Sequence, residues 1–565
     1  MKTMRMLIIV AATALAAGAA LAQIPTAVIA EGSPVPGAPD YLVTGLNTPD
    51  VNGPDGWVFT ANTTFGGETV SLAYGTLLGA APALLRTEGG NGVYTQTAWE
   101  SFFGMSDTDV CYSPTCVRES DGATGLDAVW NGDVVVAIEE EDYPHRADWF
   151  WSFGSRPGVT RDGVPYFVGG ITDIKGGSTQ ERGLFYGHDA APLIIGGMMI
   201  GGLPDPVTIG TNNVDFDFRI SAYGTHSIAV IQTDTGSSTT DNHLVMDGNV
   251  VMAGGLPLSE GGAVPASVGG LPGELWANWD YMGVTEDGHW MITGDTNAAT
   301  AVDEFVMVDG MIVLREGDMV DGMVLSGSIE SGYLGEGGDW AVIWDVNSVA
   351  GNVEVLIVNG AIMLMEGMPV DVDGDGEFDV DSMVTDFTGI AALAVSDRAE
   401  NGAFNVVFTA DVDVPGALLA GADPVAAVAD PEAGLDEDVR EEPRDRGVIE
   451  LGLILHMSGT VANEDPGADE TPSTRLALSQ NHPNPFNPQT KIAFSLDAPG
   501  AVSLKVYDMD GRLVRTLVDE VRTAGAHDVL WDGTDASGRR VASGSYLYRL
   551  RTGEQVLSRT MVMVK

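Results

Sequence analysis

The sequence predicts an all-β protein, a six- or seven-bladed propeller-like repeat body followed by a small β-sandwich. Three observations carry this reading. Apolar strands joined by Asp-Gly or Asn-Gly recur through the body, glycine supplies 73 of the 565 residues, and the region from about Leu478 to the end is built of short alternating segments. Asp-Gly or Asn-Gly between apolar runs is the strongest short-range hairpin signal, and period-two spacing puts one face of a strand inward.

The chain opens with basic Lys2 and Arg5, an apolar run Met6–Ala17, and Ala20-Leu21-Ala22 ahead of Gln23. This is the pattern of a secretory signal peptide, residues 1–22, cut between Ala22 and Gln23. No later run has the length of a spanning helix, so no direct membrane span is expected.

The body, residues 23–459, repeats two pieces. One is a hairpin, seen at Leu244–Met252, Val306–Leu314 and Leu356–Leu364, with looser copies at Asn131-Gly132, Tyr186-Gly187 and Tyr74-Gly75. Its glycines, at 75, 132, 187, 248, 310 and 360, are spaced by 57, 55, 61, 62 and 50 residues. The other piece precedes it: Asp55-Gly56-Trp57, Asp162-Gly163-Val164, Asp287-Gly288-His289-Trp290, Gly338-Asp339-Trp340 and Asn401-Gly402-Ala403-Phe404. A unit of about fifty to sixty residues with several strands has the size of a propeller blade. The competing arrangement, an elongated array of sandwiches, needs units of roughly a hundred residues.

Cys111 and Cys116 flank Tyr112-Ser113-Pro114-Thr115, which in an exported chain reads as a local disulfide across a turn. Residues 415–447 form an acidic insertion, Val448–Met457 is an apolar strand that completes the last blade, and 460–477 is a flexible linker.

The final segment, 478–565, begins with Asn481, His482, Pro483, Asn484, Pro485, Phe486, Asn487 and Pro488, whose prolines forbid a helix or a central strand. Strands are expected at Thr490–Leu496, Val502–Tyr507, Asp528–Trp531 and Tyr546–Arg551. Turn signals separate them, among them Trp531-Asp532-Gly533 and Gly544 before Tyr546. Together with the terminal Lys565, this pattern resembles the type A sorting domain of the bacterial type IX secretion system. The resemblance implies an Ig-like fold, recognition by the type IX secretion machinery, and passage through periplasm and outer membrane to a secreted or cell-surface location.

The chain carries 80 acidic against 27 basic residues, a net charge of −53. Only 9 acidic and 11 basic residues lie in Leu476–Lys565, so the imbalance belongs to the body. Such a surface repels phosphate backbones, so no nucleic acid partner is expected. Asp371, Asp373, Asp375, Glu377 and Asp379 alternate around Gly374 and Gly376, a spacing that lets one loop wrap calcium in a structural role. Ser382 stands where a complete calcium loop has Glu, and an ion-free acidic turn is the alternative.

No metalloprotease, nucleophile-elbow or phosphate-loop motif occurs. Glu139–Asp142 reads as a solvated turn. Trp149, Phe150, Trp151 and Phe153, with Trp130, read as core. The expected function is a non-enzymatic module that binds an extracellular ligand, glycan or protein. A secreted polysaccharide hydrolase or lyase, and a structural surface component, are the alternatives.

Overall fold

The computed structural model describes residues 24–77, 80–210, 214–233, 241–348, 351–373, 375, 377–387, 393–399, 401–415, 446–457, 477–478, 489–496, 500–508, 513–523, 525–535, 539–541, 544–552 and 555–563. The chain divides into two compact units, Met1–Val461 and Ala462–Lys565. Its regular structure is β throughout, apart from a 3-10 turn at Ala266–Val268, among the described residues.

The first unit is a seven-bladed propeller. Seven antiparallel sheets follow one another, each starting with an inner strand: Ala38–Asn52, Tyr94–Met105, Phe150–Val159, Val214–Ile220, Trp276–Val284 and Met323–Leu334 for blades 1 to 6. In blade 7 two short strands, Asp379–Asp386 and Leu393–Val395, pair along Phe404–Pro415 and share that role. Each inner strand packs on that of the next blade, and Leu393–Val395 returns to Ala38–Asn52, so the ring closes.

Closure is made by strand pairing as well. Phe404–Pro415 pairs with Arg446–Met457 along its whole length, and Arg446–Met457 pairs with Thr26–Ala30 from the opposite end of the unit. Blade 7 therefore holds both ends of the body in one sheet. The apolar Val448–Met457 run does complete the last blade, and residues 416–445 of the acidic insertion lie outside the described residues, as does most of the 460–477 linker.

The second strands read as apolar runs because both faces are covered by neighbouring blades. Every residue of Pro165–Thr172 is buried. The core is consequently a series of apolar clusters between blades, such as Val342, Trp344, Leu356, Val406 and Leu453. Trp130 and Trp151 are buried in such clusters, whereas Trp149, Phe150 and Phe153, expected in the core with them, are half-buried.

The repeated hairpins are tight turns in which the first residue adopts positive φ: Asp247 (51°), Asp309 (48°) and Asn359 (49°), each followed by a left-handed Gly. Their side-chain oxygens accept the backbone N–H of Ser227 (2.8 Å), Trp290 (3.0 Å) and Trp340 (3.0 Å) at the start of the second strand. The two recurring sequence pieces are thus halves of one hydrogen-bonded unit, which is why they travel together. Tyr74-Gly75 is the exception. It lies inside the strand Glu68–Thr76, where a Cβ on Gly75 would come 2.1 Å from the Trp57 carbonyl oxygen, so this glycine serves strand approach and not a turn.

The expected Cys111–Cys116 disulfide is not formed. Both cysteines are free and buried in one strand, Val110–Arg118. Five residues along a strand span roughly 17 Å, far beyond the ~7 Å limit for bridged Cα atoms, and an odd separation sends the side chains to opposite faces. Cys111 packs with Val129 and Phe167, Cys116 with Tyr94 and Trp130. Pro114, taken as a turn signal, sits instead where the strand register is irregular.

Candidate functional site

The turns that follow the inner strands lie at one end of the ring and are tied together. In five blades a buried hydroxyl at the end of the inner strand accepts a backbone N–H from the start of the second strand: Ser106 from Asp109, Thr160 from Val164, Ser221 from His226, Thr285 from His289 and Ser396 from Asn405. Thr285–Trp290 is one of these structural turns.

Bonds between blades join the turns into a belt. Asn52 donates to Asp107 (3.0 Å), the Asp107 N–H donates to the Arg161 carbonyl, and the Arg161 N–H donates to the Ala222 carbonyl. Two further contacts join blades that are not neighbours, so they cross the axis. Arg161 Nη1 reaches Asp397 at 2.7 Å, and Glu336 of blade 6 accepts the Ala222 N–H of blade 4 at 2.6 Å, while also accepting the Glu286 N–H of the neighbouring blade 5 at 2.6 Å.

Beneath these straps the axis holds a cavity of about 330 Å³ lined from all seven blades. Its polar side chains include Asp50, Arg156, Tyr166, Arg219, Tyr281 and Tyr333. Asp50 Oδ2 accepts the Met105 N–H (2.9 Å), and Oδ1 accepts the Tyr333 hydroxyl (3.3 Å). Arg219 lies over the Tyr333 ring, its Cζ 6.0 Å from the centroid. Protein surrounds Asp50, and this burial pushes its carboxyl up to about 6, against the opposing pull of the Val51 and Met105 N–H groups and the Arg219 charge. Burial also pushes the Tyr166 and Tyr333 hydroxyls well up, so both remain neutral donors.

Arg156 reaches the cavity from a bulge. Its φ is 48°, and the pairing register shifts between Ser155 and Gly158. Gly158 permits this crowding, because a Cβ there would lie 2.2 Å from the Tyr166 ring. An irregular backbone that re-aims a side chain is a recurrent feature of binding sites. None of these residues forms a local motif: they come together only when the ring closes. The Ser/Thr residues a few positions before each second strand were the one legible signal of the belt.

In the acidic loop, Asp371, Asp373 and Asp375 each offer an oxygen within 4.8 Å of the others. Asp371 is fully buried, and its backbone exchanges hydrogen bonds with Pro25 and Ala27 beside the closing strand. Asp379 turns inward to accept the Val372 N–H (2.7 Å), and Asp375 accepts the Glu377 N–H (2.7 Å). Asp379, expected as a side-chain ligand, is not in the three-carboxylate group, and Glu377 was expected to offer its backbone carbonyl and not its side chain. Gly374 and Gly376 lie outside the described residues.

Glu139–Asp142 is not the solvated turn expected of it. Glu140 pairs with Arg118 (2.8 Å), Glu141 accepts the Tyr94 hydroxyl (2.9 Å), and Glu139 is half-buried beside Asp127.

The C-terminal unit is a two-sheet sandwich. One sheet holds Ala477–Leu478, Thr490–Leu496 and Gly525–Trp531, the other Leu513–Arg522, Gly500–Asp508, Gly544–Thr552 and Gln555–Met563. The four expected strands are present, and Leu513–Arg522 and Gln555–Met563 are additional. Trp531 is buried, meets Tyr546 edge to face at 5.4 Å, and donates its indole N–H to the Thr534 carbonyl. Asp532 caps the turn by accepting from the Thr534 hydroxyl (2.6 Å), which with the Thr534 N–H holds its carboxyl below the ordinary range, and Gly533 has φ 67°. The Asn481–Pro488 run, Lys565, Ala22 and Gln23 lie outside the described residues.

Residues 481–554 match the family model of the FlgD Ig-like domain, so the chain ends in an Ig-like domain of that kind. No curated protein matches the chain. Among solved structures, PorZ of Porphyromonas gingivalis, a surface component of the type IX secretion system, is similar at 11% identity over 93% of this chain and 82% of its own, with a TM-score of 0.23. A puromycin-hydrolysing peptidase of Mycobacterium tuberculosis is similar at 11% identity over 83% of this chain and 62% of its own, TM-score 0.31. The polysaccharide lyase Uly1 follows at 10% identity, 76% and 89% coverage and TM-score 0.27. Likeness at this level bears on no function. Among the described residues no helix is long and apolar enough to cross a membrane.

Proposed function

We propose that this protein is an exported propeller that binds, without turnover, the acidic sugar end of an extracellular glycan in its axial cavity. The observation that carries the reading is electrostatic. The body is strongly acidic, yet three arginines, Arg156, Arg161 and Arg219, line the cavity on its axis among the carboxyls of Asp50, Asp280, Glu336 and Asp397. Arg161 is engaged by Asp397, and Arg219 lies over the Tyr333 ring close enough to Asp50 to act on its charge. A guanidinium matches a carboxylate, hydroxyls and an aspartate match sugar hydroxyls, and a cavity near 300 Å³ is the size for one small polar group.

The Ig-like domain at the C-terminus supports delivery as a type IX sorting domain, through the periplasm and outer membrane to a secreted or cell-surface location. The Asp371–Asp379 loop is read as a structural calcium site. Three convergent carboxylates against the closing strand support this, and calcium would then fasten the seam where the ring closes.

The test uses the chain from Gln23 onward, incubated with glycans ending in uronic or sialic acids and with neutral counterparts, reading both retention and new chain ends. Retention of acidic-ended glycans, lost in Arg219→Gln, is the expected result. New chain ends would replace this reading with the hydrolase or lyase, and equal retention of neutral glycans would remove the acidic ligand.

A further inference from the structure

The axial cavity has no surplus of positive charge to offer an anion. Its lining holds three guanidiniums, Arg156, Arg161 and Arg219, against four carboxyls, Asp50, Asp280, Glu336 and Asp397. A charge taken out of water needs a compensating partner, so a ligand carboxylate brought into this space must be accompanied by a positive charge. A proton serves, provided that one of the lining carboxyls is placed to take it.

Asp50 is so placed. Two of the other carboxyls are held in the ionised form by their bonds: Asp397 grips the Arg161 guanidinium at 2.7 Å, and Glu336 accepts the Ala222 and Glu286 N–H groups. Asp280 is half-buried on the inner strand of blade 5, beside Tyr281. Asp50 accepts only the Met105 N–H and the Tyr333 hydroxyl among these strands, and a hydroxyl can donate to a carboxylate or accept from a carboxylic acid, so the Tyr333 bond survives protonation. The groups that act on Asp50 from the facing strands are the Arg219 charge and the Tyr333 hydroxyl, and Asp50 acts in turn on the Tyr166 hydroxyl.

Arg219 is the guanidinium open to a ligand. It is exposed, donates to the Phe218 carbonyl (3.0 Å) and lies over the Tyr333 ring. Its charge helps to keep Asp50 ionised. A carboxylate that pairs with Arg219 claims that charge and sets a second negative charge near Asp50, and like charges in one enclosed site favour a proton on one of them.

We propose that an acidic glycan end binds in the axial cavity together with one proton, which Asp50 takes from solvent as the ligand carboxylate pairs with Arg219. Asp50 is then a pH gate that tightens the site in mildly acidic surroundings and loosens it as the medium turns alkaline. This gate rests on the cavity being the site of an acidic ligand.

The test is calorimetric titration of the chain from Gln23 onward with trisaccharides ending in glucuronic acid, sialic acid or glucose, at several pH values from 5 to 8 and in buffers of differing ionisation enthalpy. For the acidic trisaccharides Kd should be level below about 6 and weaken by up to about tenfold per pH unit above it, with about one proton taken up per ligand near neutrality. Asp50→Asn, which keeps the side-chain volume and cannot titrate, should bind with no proton uptake and no dependence on pH. In the native protein an infrared band of a protonated carboxyl should appear on adding ligand near neutrality, which reads the same event without a variant. Acidic trisaccharides bound with no proton uptake, or with uptake that persists in folded Asp50→Asn, would overturn the gate and leave the acidic ligand standing. Failure of both acidic trisaccharides to bind at any of these pH values would remove the acidic ligand and the gate with it.

Discussion

Replacing Glu274 by Gln should be among the most damaging single changes in blade 5. Glu274 and Arg315 form an ion pair at 2.6 Å with side chains 1% and 9% exposed. The carboxylate also accepts the Thr296 hydroxyl (2.6 Å) and the Leu271 N–H (2.6 Å), while Arg315 donates to the Val302 carbonyl (2.7 Å). One pair therefore joins the loops around Leu271 and Val302 to the outer strand Met311–Arg315. Removing the negative partner leaves a guanidinium buried and uncompensated, which costs about 3–5 kcal/mol. That corresponds to a factor of about 10²–10⁴ in the local folding equilibrium. Adding Arg315→Met removes the stranded charge, so the double variant should recover about 2 kcal/mol relative to Glu274→Gln. Urea unfolding followed by tryptophan fluorescence reads this blade directly, since Trp276, Trp279 and Trp290 are all buried in it. A cost below about 1 kcal/mol for Glu274→Gln, or single-variant costs that simply add in the double, would refute the reasoning.

Four further outcomes are expected. The Asp50 carboxyl is raised to about 6 from 3.8, so the folded state binds its proton more tightly than the unfolded chain does. Its penalty on stability is fully present above about 6 and is relieved as pH falls toward 3.8, and Asp50→Asn should flatten that part of a stability–pH profile. Gly158→Ala drives a methyl into the Tyr166 ring, and should weaken retention of acidic-ended glycans more than it lowers Tm. Asp309→Ala loses the acceptor for the Trp290 N–H and places Ala at positive φ, for a cost of about 1–3 kcal/mol in thermal unfolding. Burial pushes the Cys111 thiol up and the Cys116 thiol up to about 11, so a thiol reagent should find neither in the native protein and both after denaturation. A mass two units lower before reduction would restore the disulfide.

Much of this protein is written locally. Alternation and Asp-Gly or Asn-Gly turns placed the blade hairpins, and their left-handed residues lie where Asp247, Asp309 and Asn359 stand. The C-terminal strands were legible for the same reason, because a two-residue period and a turn are properties of a few neighbouring residues. Residues that act over longer distances were not. Two cysteines near a proline look bonded until the strand that carries them separates their faces. Closure of the ring depends on Thr26–Ala30 finding Arg446–Met457, which no local pattern announces. The cavity is the extreme case: Asp50 and Tyr333 meet although 283 residues separate them. Turn and strand preferences are short-range and survive in the bare chain. The pairing of faces, the burial that raises Asp50 and the gathering of arginines on the axis exist only once seven blades have packed.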